Sequence, residues 1–89
     1  MSGSESIREV IHEHEFDEQL AALIPDLEAA DEFTAGAKWV LARDPETGLL
    51  ASAKLGIWAL PMSPVRGQQV TLYYAFDEHA VTLLSILAS

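Results

Sequence analysis

The chain has no cysteine among its 89 residues. This absence excludes disulfide bonds, iron–sulfur clusters and zinc sites built from thiolates, and it suits a reducing compartment. Long apolar runs are also missing, because the longest is far shorter than the roughly 20 residues that cross a bilayer. The polar, acidic start of the chain does not have the composition of a secretory signal. We therefore expect a soluble cytoplasmic protein that has no membrane segment.

Basic residues are scarce, since five Lys and Arg stand against 14 Asp and Glu and the net charge is −9. Residues 1–32 hold ten of the acids and one base, Arg8, whereas residues 33–89 are neutral. No two basic residues are adjacent, so the chain has no basic cluster that could displace counterions from phosphates. We expect no binding to DNA and no unaided binding to RNA. The acidic third is interpreted as a solvated helix face or, alternatively, as a docking surface for a basic partner.

Motifs for nucleophilic or phosphate-binding chemistry are absent as well. The five glycines stand singly, and the chain has no Gly-x-Ser-x-Gly elbow. His12 and His14 would share one face of a strand and could hold a metal ion with His79 or an acid as the third ligand. A half-exposed strand produces the same alternation, so the metal site is the less favoured interpretation. We expect neither a metal nor a cofactor.

Length and composition allow one folded unit. A chain of 89 residues with 49% hydrophobic residues is enough for a single small domain. Residues 1–6 are rich in Ser and Gly and are expected to be disordered, which leaves residues 7–89 as the domain.

The first half predicts a strand followed by two helices. Residues 7–16 fit both a strand and a helix, and their β-branched residues favour a strand. Asp17 is the expected N-cap of a helix that runs to Ile24, and Pro25 is expected to end this helix and to lie in the first turn of the next one. Apolar residues at every third or fourth position of residues 26–43, from Leu27 onward, predict the second helix.

A turn and three strands are predicted after the helices. Residues 44–48 form the turn, in which Pro45 ends the helix and Gly48 is free to take a positive φ. The strands are residues 55–62, 69–76 and 80–88, and residues 61–67 separate the first two.

The last of these strands is apolar on both faces. Alternation places Val81, Leu83 and Leu87 on one face and Leu84, Ile86 and Ala88 on the other. Such a strand is either central in a sheet or covered by a partner chain. The whole pattern predicts an α+β fold, with an N-terminal strand, a helical hairpin and a three-stranded antiparallel meander. The helices are expected to pack on one face of a mostly antiparallel sheet.

Side chains that could bind RNA lie near these strands. An arginine beside aromatic and amide side chains can hold a phosphate and stack a base. The residues in question are Lys54, Trp58, Arg66, Gln68, Tyr73 and Tyr74. The favoured interpretation is plainer, because Trp58 and one tyrosine would also serve as core residues and Arg66 as a loop charge.

Four segments in a fixed order carry a family resemblance. The helix-ending segment Leu-Ala-Arg-Asp-Pro-Glu-Thr-Gly (41–48) is followed by Gly-Ile-Trp-Ala-Leu (56–60), by Val-Thr-Leu-Tyr-Tyr-Ala-Phe-Asp (70–77) and by Val-Thr-Leu-Leu-Ser-Ile (81–86). This order resembles the RelE/ParE superfamily of toxins from bacterial toxin–antitoxin modules, over residues 7–88. The resemblance implies a helical hairpin on a curved antiparallel sheet and an antitoxin that wraps the toxin. For ribosome-dependent members it also implies cleavage of mRNA by basic side chains of the sheet.

This chain departs from that pattern at the expected cleft. Trp58 stands where such members carry basic residues, and Gln68 and Gln69 stand where an arginine is usual. Arg66 and Lys54 are the bases near the cleft and, with Tyr74, are the catalytic candidates, whereas Trp58 and Gln68 are candidates for substrate binding. Two isolated bases supply little of the positive charge that phosphate cleavage requires.

Two hypotheses follow. The first is a RelE/ParE-like toxin-family protein that acts through protein–protein binding, with weak or no nuclease activity. Its partner would be an antitoxin, or a second copy bound through the apolar C-terminal strand. The alternative is an active ribosome-dependent mRNA interferase, an endoribonuclease that uses Arg66, Lys54 and Tyr74 on mRNA at the ribosome.

Overall fold

The computed structural model describes residues 7–89, so the expectation of disorder for residues 1–6 lies outside the described residues. A short 3-10 turn, Pro45–Thr47, separates the helices from the later strands. The elements are β1 (Glu9–His12), α1 (His14–Leu23), α2 (Leu27–Arg43), β2 (Leu49–Ser52), β3 (Ile57–Val65), β4 (Gln68–Phe76) and β5 (Ala80–Ala88). No helix in residues 7–89 has the length and apolarity needed to cross a membrane.

The strands form one five-stranded sheet in the order β1-β5-β4-β3-β2. β1 pairs with β5 in parallel, and the other three pairings are antiparallel. The predicted α+β class and the meander of three strands are confirmed, and the meander gains a fourth strand, β2, that the sequence analysis missed. Of the two alternatives for the last strand, the central position is confirmed.

Both helices pack on the same face of the sheet, as predicted. Phe16 and Leu20 of α1 and Leu41 of α2 are buried against the central strands. The sheet contributes alternate residues to this core: Val70, Leu72, Tyr74, Val81, Leu83 and Ile86. Each large apolar side chain that is fully buried contributes about 1.5–3 kcal/mol, so this layer holds the fold together.

The faces of β5 differ from the predicted alternation. The register against β4 shifts between the pairs Tyr73–Ser85 and Tyr74–Leu83, which makes Leu84 an extra residue in β5. Ile86 is therefore buried on the same face as Leu83, and Leu87 is exposed. The predicted grouping of Leu87 with Leu83 is wrong, because the bulge moves the later residues to the opposite faces.

The first helix begins earlier than predicted. α1 starts at His14 with Glu13 as its N-cap, so the strand is only four residues long and the prediction of Asp17 as the N-cap is wrong. Asp17 instead lies in the first turn, where a carboxylate interacts favourably with the helix dipole. Phe16 is buried in the core from the first turn of α1.

The second helix follows its prediction closely. α2 has Asp26 as its N-cap, and the Asp26 carboxylate accepts a hydrogen bond from the Glu28 N–H at 3.1 Å. Pro25 therefore lies before the N-cap and not in the first turn of α2, which corrects the prediction. Leu27 is the exception to the buried stripe, because 76% of its surface is exposed.

Two turns differ from their predictions. Gly48 has a φ of −82°, so it does not use the positive φ that is open to glycine. Its lack of a side chain matters for space, because a Cβ there would lie 2.7 Å from the Ala59 carbonyl oxygen and against the Tyr74 hydroxyl. Residues 61–67 are mostly strand, since β3 runs to Val65 and a two-residue turn then leads into β4. In that turn Arg66 has a φ of 51° and Gly67 a φ of 80°.

Candidate functional site

The two basic candidates lie at opposite ends of β3. Lys54 is exposed in the turn that precedes the strand, and Arg66 is exposed in the turn that follows it. β3 has nine residues, which separates the two turns by about 25–30 Å. A single phosphate therefore cannot contact both side chains.

Tyr74, the third catalytic candidate, is fully buried. Its hydroxyl donates a hydrogen bond to the Pro45 carbonyl oxygen at 2.5 Å and accepts one from the Gly48 N–H at 3.2 Å. Burial raises the pKa of Tyr74, the Gly48 N–H lowers it in part, and the Asp44 carboxylate raises it further. The hydroxyl is thus neutral, engaged and shielded from substrate, and this burial is the geometric argument against the predicted catalytic role.

The candidates for substrate binding are also dispersed. Trp58 pairs with Tyr74 across the strands, is partly buried against the core, and has its ring 5.5 Å from that of Phe76. Gln68 is exposed and pairs with Val65 beside the Arg66 turn. Trp58 therefore lies beside Tyr74, whereas Gln68 lies beside Arg66, at the other end of β4.

Tyr73 has a different environment from Tyr74. It pairs with Ala59 and Ser85, is half-buried, and faces away from the helices. One tyrosine in the core and one on the surface agree with the plainer interpretation of the sequence.

Two other arginines are occupied by local contacts. Arg8 donates from Nε to the Asp77 carbonyl oxygen at 2.6 Å, and its guanidinium lies 5.7 Å from the Phe76 ring centre. Arg43 lies 4.1 Å over the ring of Trp39 and donates to the Trp39 carbonyl oxygen at 3.0 Å. Arg8 lies beside the turn after β4 and Arg43 lies at the end of α2, whereas Arg66 lies in the turn before β4. The two arginines therefore add no positive charge beside Arg66.

The turn between β4 and β5 is held by the Asp77 carboxylate. Its Oδ1 accepts hydrogen bonds from the His79 N–H at 2.7 Å and from the Ala80 N–H at 2.9 Å. These two bonds hold the pKa of Asp77 below its usual value. His79 itself is exposed at this turn. It belongs to no group of three possible metal ligands within residues 7–89.

His12 and His14 do not share a strand face. His12 ends β1 and its Nδ1 lies 2.9 Å from Asp17 Oδ1, whereas His14 begins α1 and its Nε2 lies 3.2 Å from Glu18 Oε2. Within residues 7–89, no group of three His, Cys, Asp or Glu side chains is arranged to hold a metal ion.

The structure also reveals surface features that the sequence analysis did not single out. Trp39 is 61% exposed on α2, off the apolar stripe, and a tryptophan off the buried face of a helix is the signal that could have identified it. A groove runs between α1 and α2, and exposed Leu27 is one of its lining residues. We call this feature the α1–α2 groove.

The sequence matches no protein-family model. It also matches no curated protein. The fold, in contrast, is similar to that of one chain in the crystal structure of the toxin–antitoxin complex RelBE2 from Mycobacterium tuberculosis. The TM-score is 0.67 at 24% sequence identity, and the alignment covers 99% of this chain and 98% of that one. The resemblance predicted from the sequence is thereby confirmed at the level of the fold, and residues 7–89 have a RelE-like α+β fold.

Proposed function

We propose that this chain is a toxin-like protein of a bacterial toxin–antitoxin module, with weak or no nuclease activity, and that it acts by binding an antitoxin protein. The similarity of fold to a chain of a toxin–antitoxin complex, over nearly the whole length of both chains, is the observation that carries the proposal. The dispersal of Lys54, Arg66 and Tyr74 supports the restriction on nuclease activity, since stabilising charge at a scissile phosphate requires donors that converge on it. The cytoplasm is the proposed compartment.

The net charge of −9 supports the same restriction. Ribosomal RNA is a dense array of phosphates, and a protein of like charge is repelled from it at long range. An interferase that works on the ribosome needs the opposite charge balance.

Self-association through β5 is the other partner proposed from the sequence. β5 lies between β1 and β4, and β1 pairs only with Ala80 to Leu83. The later half of β5 is therefore the part that has an available edge, and the Gln19 side chain accepts a hydrogen bond from the Ile86 N–H there at 2.9 Å. An antitoxin is the better supported partner because the strand has little free edge for a second copy.

Two measurements test the proposal. The chain is expressed alone in a bacterial host, with growth and mRNA integrity followed after induction, and it is then co-expressed with the products of its neighbouring genes and purified. We expect intact mRNA and a stoichiometric complex with one neighbour. A strict monomer that captures no neighbouring product contradicts the proposal.

Fragmented mRNA with growth arrest supports the interferase alternative instead. In that case Arg66→Asn, which keeps the turn well formed, abolishes the arrest. Arg43→Gln removes the same charge from α2, away from the sheet, and serves as the matched control.

A further inference from the structure

The sheet has an outer face, turned away from α1 and α2, that nothing else in residues 7–89 covers. Tyr73 lies near its centre, because β4 is the middle strand of the five. Cross-strand pairing places Ala59 on one side of Tyr73 and Ser85 on the other. All three side chains are partly exposed. The outer face is therefore an open surface built around Tyr73.

Charged residues are missing from the strands that form most of this face. β2, β3, β4 and β5 contain no Asp, Glu, Lys, Arg or His. The charges between these strands lie in the turns, at Lys54, Arg66, Asp77 and Glu78. An antiparallel sheet with one face in water normally has polar residues on that face. The composition of these strands therefore suits an outer face that is covered.

Three large apolar side chains are exposed on the outer face. They are Ile11 of β1, Leu49 of β2 and Leu87 of β5, and each pairs with an outer-face residue of the neighbouring strand. Glu9, two residues before Ile11, shares this face and lies at its margin on the edge strand. Apolar surface thus extends across the sheet, with one acid at the border.

The outer face has the area that a specific interface needs. β3, β4 and β5 have nine residues each, and β1 and β2 have four each. At about 3.3 Å per residue and about 4.8 Å between strands, the face measures about 550 Å². Two such faces together bury about 1,100 Å², which is just above the roughly 1,000 Å² expected of a biological interface. The area therefore suits a weak, specific association.

The distribution of charge favours a second copy as the occupant. An uncharged face requires an uncharged partner surface, and a second copy supplies one. The seven exposed acids of residues 14–32 belong to the helical layer on the opposite side of the sheet. Two sheets stack about 10 Å apart and each helix is about 10 Å thick, so the acidic surfaces of two copies lie more than about 20 Å apart. This distance exceeds the screening length of about 8 Å at physiological salt, so their repulsion is small.

We infer that two copies of this chain stack through the outer faces of their sheets, in the manner of a β-sandwich. The small side chains of Ala59, Thr71 and Ser85 allow the two sheets to approach closely. The inference goes beyond the proposed binding of an antitoxin and does not depend on it, since α1 and α2 of both copies stay exposed.

Sedimentation equilibrium of the full chain tests the association. In about 150 mM NaCl, where charge is largely screened, we expect a monomer at about 1 µM and a dimer at about 500 µM, as suits an interface of this size. A mixture of carbon-13-labelled and unlabelled chains then locates the contact by isotope-filtered nuclear Overhauser effects. We expect contacts between copies from the Tyr73 ring and the Leu87 methyl groups.

A lysine on the outer face is expected to prevent the dimer. Thr71→Lys places a charge where the second copy would bury it without a partner, so we expect the dissociation constant to rise at least tenfold. In the monomer the lysine stem lies along the sheet and its ammonium stays in water, so the fold is retained, and circular dichroism checks this. Thr47→Lys makes the same change at an exposed position in the 3-10 turn and leaves the dissociation constant unchanged.

A pair of leucine variants tests the same face without adding charge. Leu87→Ser removes an exposed apolar side chain from the outer face and is expected to weaken the dimer about tenfold. Leu50→Ser removes a leucine of similar exposure, 53% against 47%, that pairs with Trp58 and so belongs to the helix side of the sheet. We expect this control to leave the dimer intact.

A monomer at the highest concentration, equal weakening by Leu50→Ser, or contacts between copies confined to the helices or to the β2 edge would overturn the inference. A monomer whose outer-face resonances shift with a single-stranded oligoribonucleotide assigns this face to RNA and also overturns it. A monomer that forms a complex with a neighbouring gene product overturns the inference and leaves the proposed function standing. A dimer through the outer face that captures no neighbouring product supports the inference and contradicts the proposed function.

Discussion

Tyr74 connects the centre of the sheet to the turn that follows α2. We expect Tyr74→Phe to lower the free energy of unfolding by about 1–3 kcal/mol, because the buried Pro45 carbonyl and Gly48 N–H lose their shared partner. Urea denaturation measures the change. Tyr73→Phe removes the same group from the opposite face of β4 and is expected to cost far less. Equal losses in the two variants would contradict the assigned role of the Tyr74 hydroxyl.

Arg66 adopts a left-handed backbone conformation that disfavours most side chains. We expect Arg66→Asn to stabilise the protein by about 1 kcal/mol, since Asn before Gly suits a two-residue turn with two positive φ angles. Thermal unfolding followed by circular dichroism measures it. Lys54→Asn, in the other β3 turn, is the control for loss of charge alone. A destabilised Arg66→Asn protein would mean that the arginine side chain has a structural contact outside the turn.

At this scale the sequence predicted some roles and not others. Asp26, the N-cap of α2, lies between Pro25 and the apolar stripe of the helix. This local pattern was sufficient to predict where α2 begins. The role of Gly48 depends on Ala59 and Tyr74, which are distant in the sequence, and no local pattern could reveal that contact. The burial of Tyr74 also depends on residues distant in the sequence. Its residue type therefore suggested a site residue, whereas its environment is that of a core residue.

The β4–β5 turn depends on an ionised Asp77. Because its pKa is lower in the folded state than in the unfolded chain, its bonds to the His79 and Ala80 N–H groups stabilise the fold above the unfolded pKa of about 4. That contribution is lost as the pH falls below about 4 and through the folded pKa. We expect the melting temperature of Asp77→Asn to fall less steeply than that of the wild type between about pH 5 and pH 2, since Asn keeps an acceptor and does not titrate. Glu78→Gln, one residue away, is expected to retain the wild-type slope, and a flattened slope there would contradict the assignment to Asp77.

α1 protects the later half of β5 through one side chain. Gln19→Met keeps the length of the side chain and removes the acceptor for the Ile86 N–H, so we expect faster hydrogen exchange at the Ile86 amide and a loss of about 1 kcal/mol in stability. Gln19→Glu retains an acceptor oxygen and is expected to preserve slow exchange. Unchanged exchange in Gln19→Met would show that the edge is closed by other groups.

Elements with a strong local pattern were predictable from the sequence. Elements that depend on pairing with another strand were not. α2 and β4 have long periodic patterns, and their bounds agree with the prediction within two residues. β2 has only four residues, with two exposed leucines, and becomes a strand because it pairs with β3. The β5 bulge depends on register against β4, which alternation within one strand cannot indicate.

The charge of the whole molecule is uneven. Because seven exposed acids are concentrated in residues 14–32, their mutual repulsion opposes folding at low ionic strength. We expect the melting temperature at pH 7 to rise by about 3–6 °C as NaCl increases from about 10 to about 300 mM, since this shortens the screening length from about 30 Å to below 8 Å.

Calorimetry in NaCl and in choline chloride distinguishes screening from specific binding of sodium. Glu32→Lys, within the acidic region, is expected to reduce the salt dependence, whereas Glu46→Lys, in the neutral half, leaves it nearly unchanged. A melting temperature that falls with salt would contradict the repulsion argument.

The parallel pairing of β1 with β5 also determines how the molecule can fold. Glu9 pairs with Ala80, so the first strand has no neighbour in the sheet until almost the entire chain has been synthesised. The apolar faces of α1 and α2 also stay uncovered until late in synthesis, because the strands that cover them are β4 and β5. Contacts between residues so distant in the sequence give a high contact order, which slows folding and lengthens the exposure of the nascent chain to proteases and to aggregation. A partner that binds α1 and α2 during synthesis would cover these apolar faces and assist folding before it has any other effect.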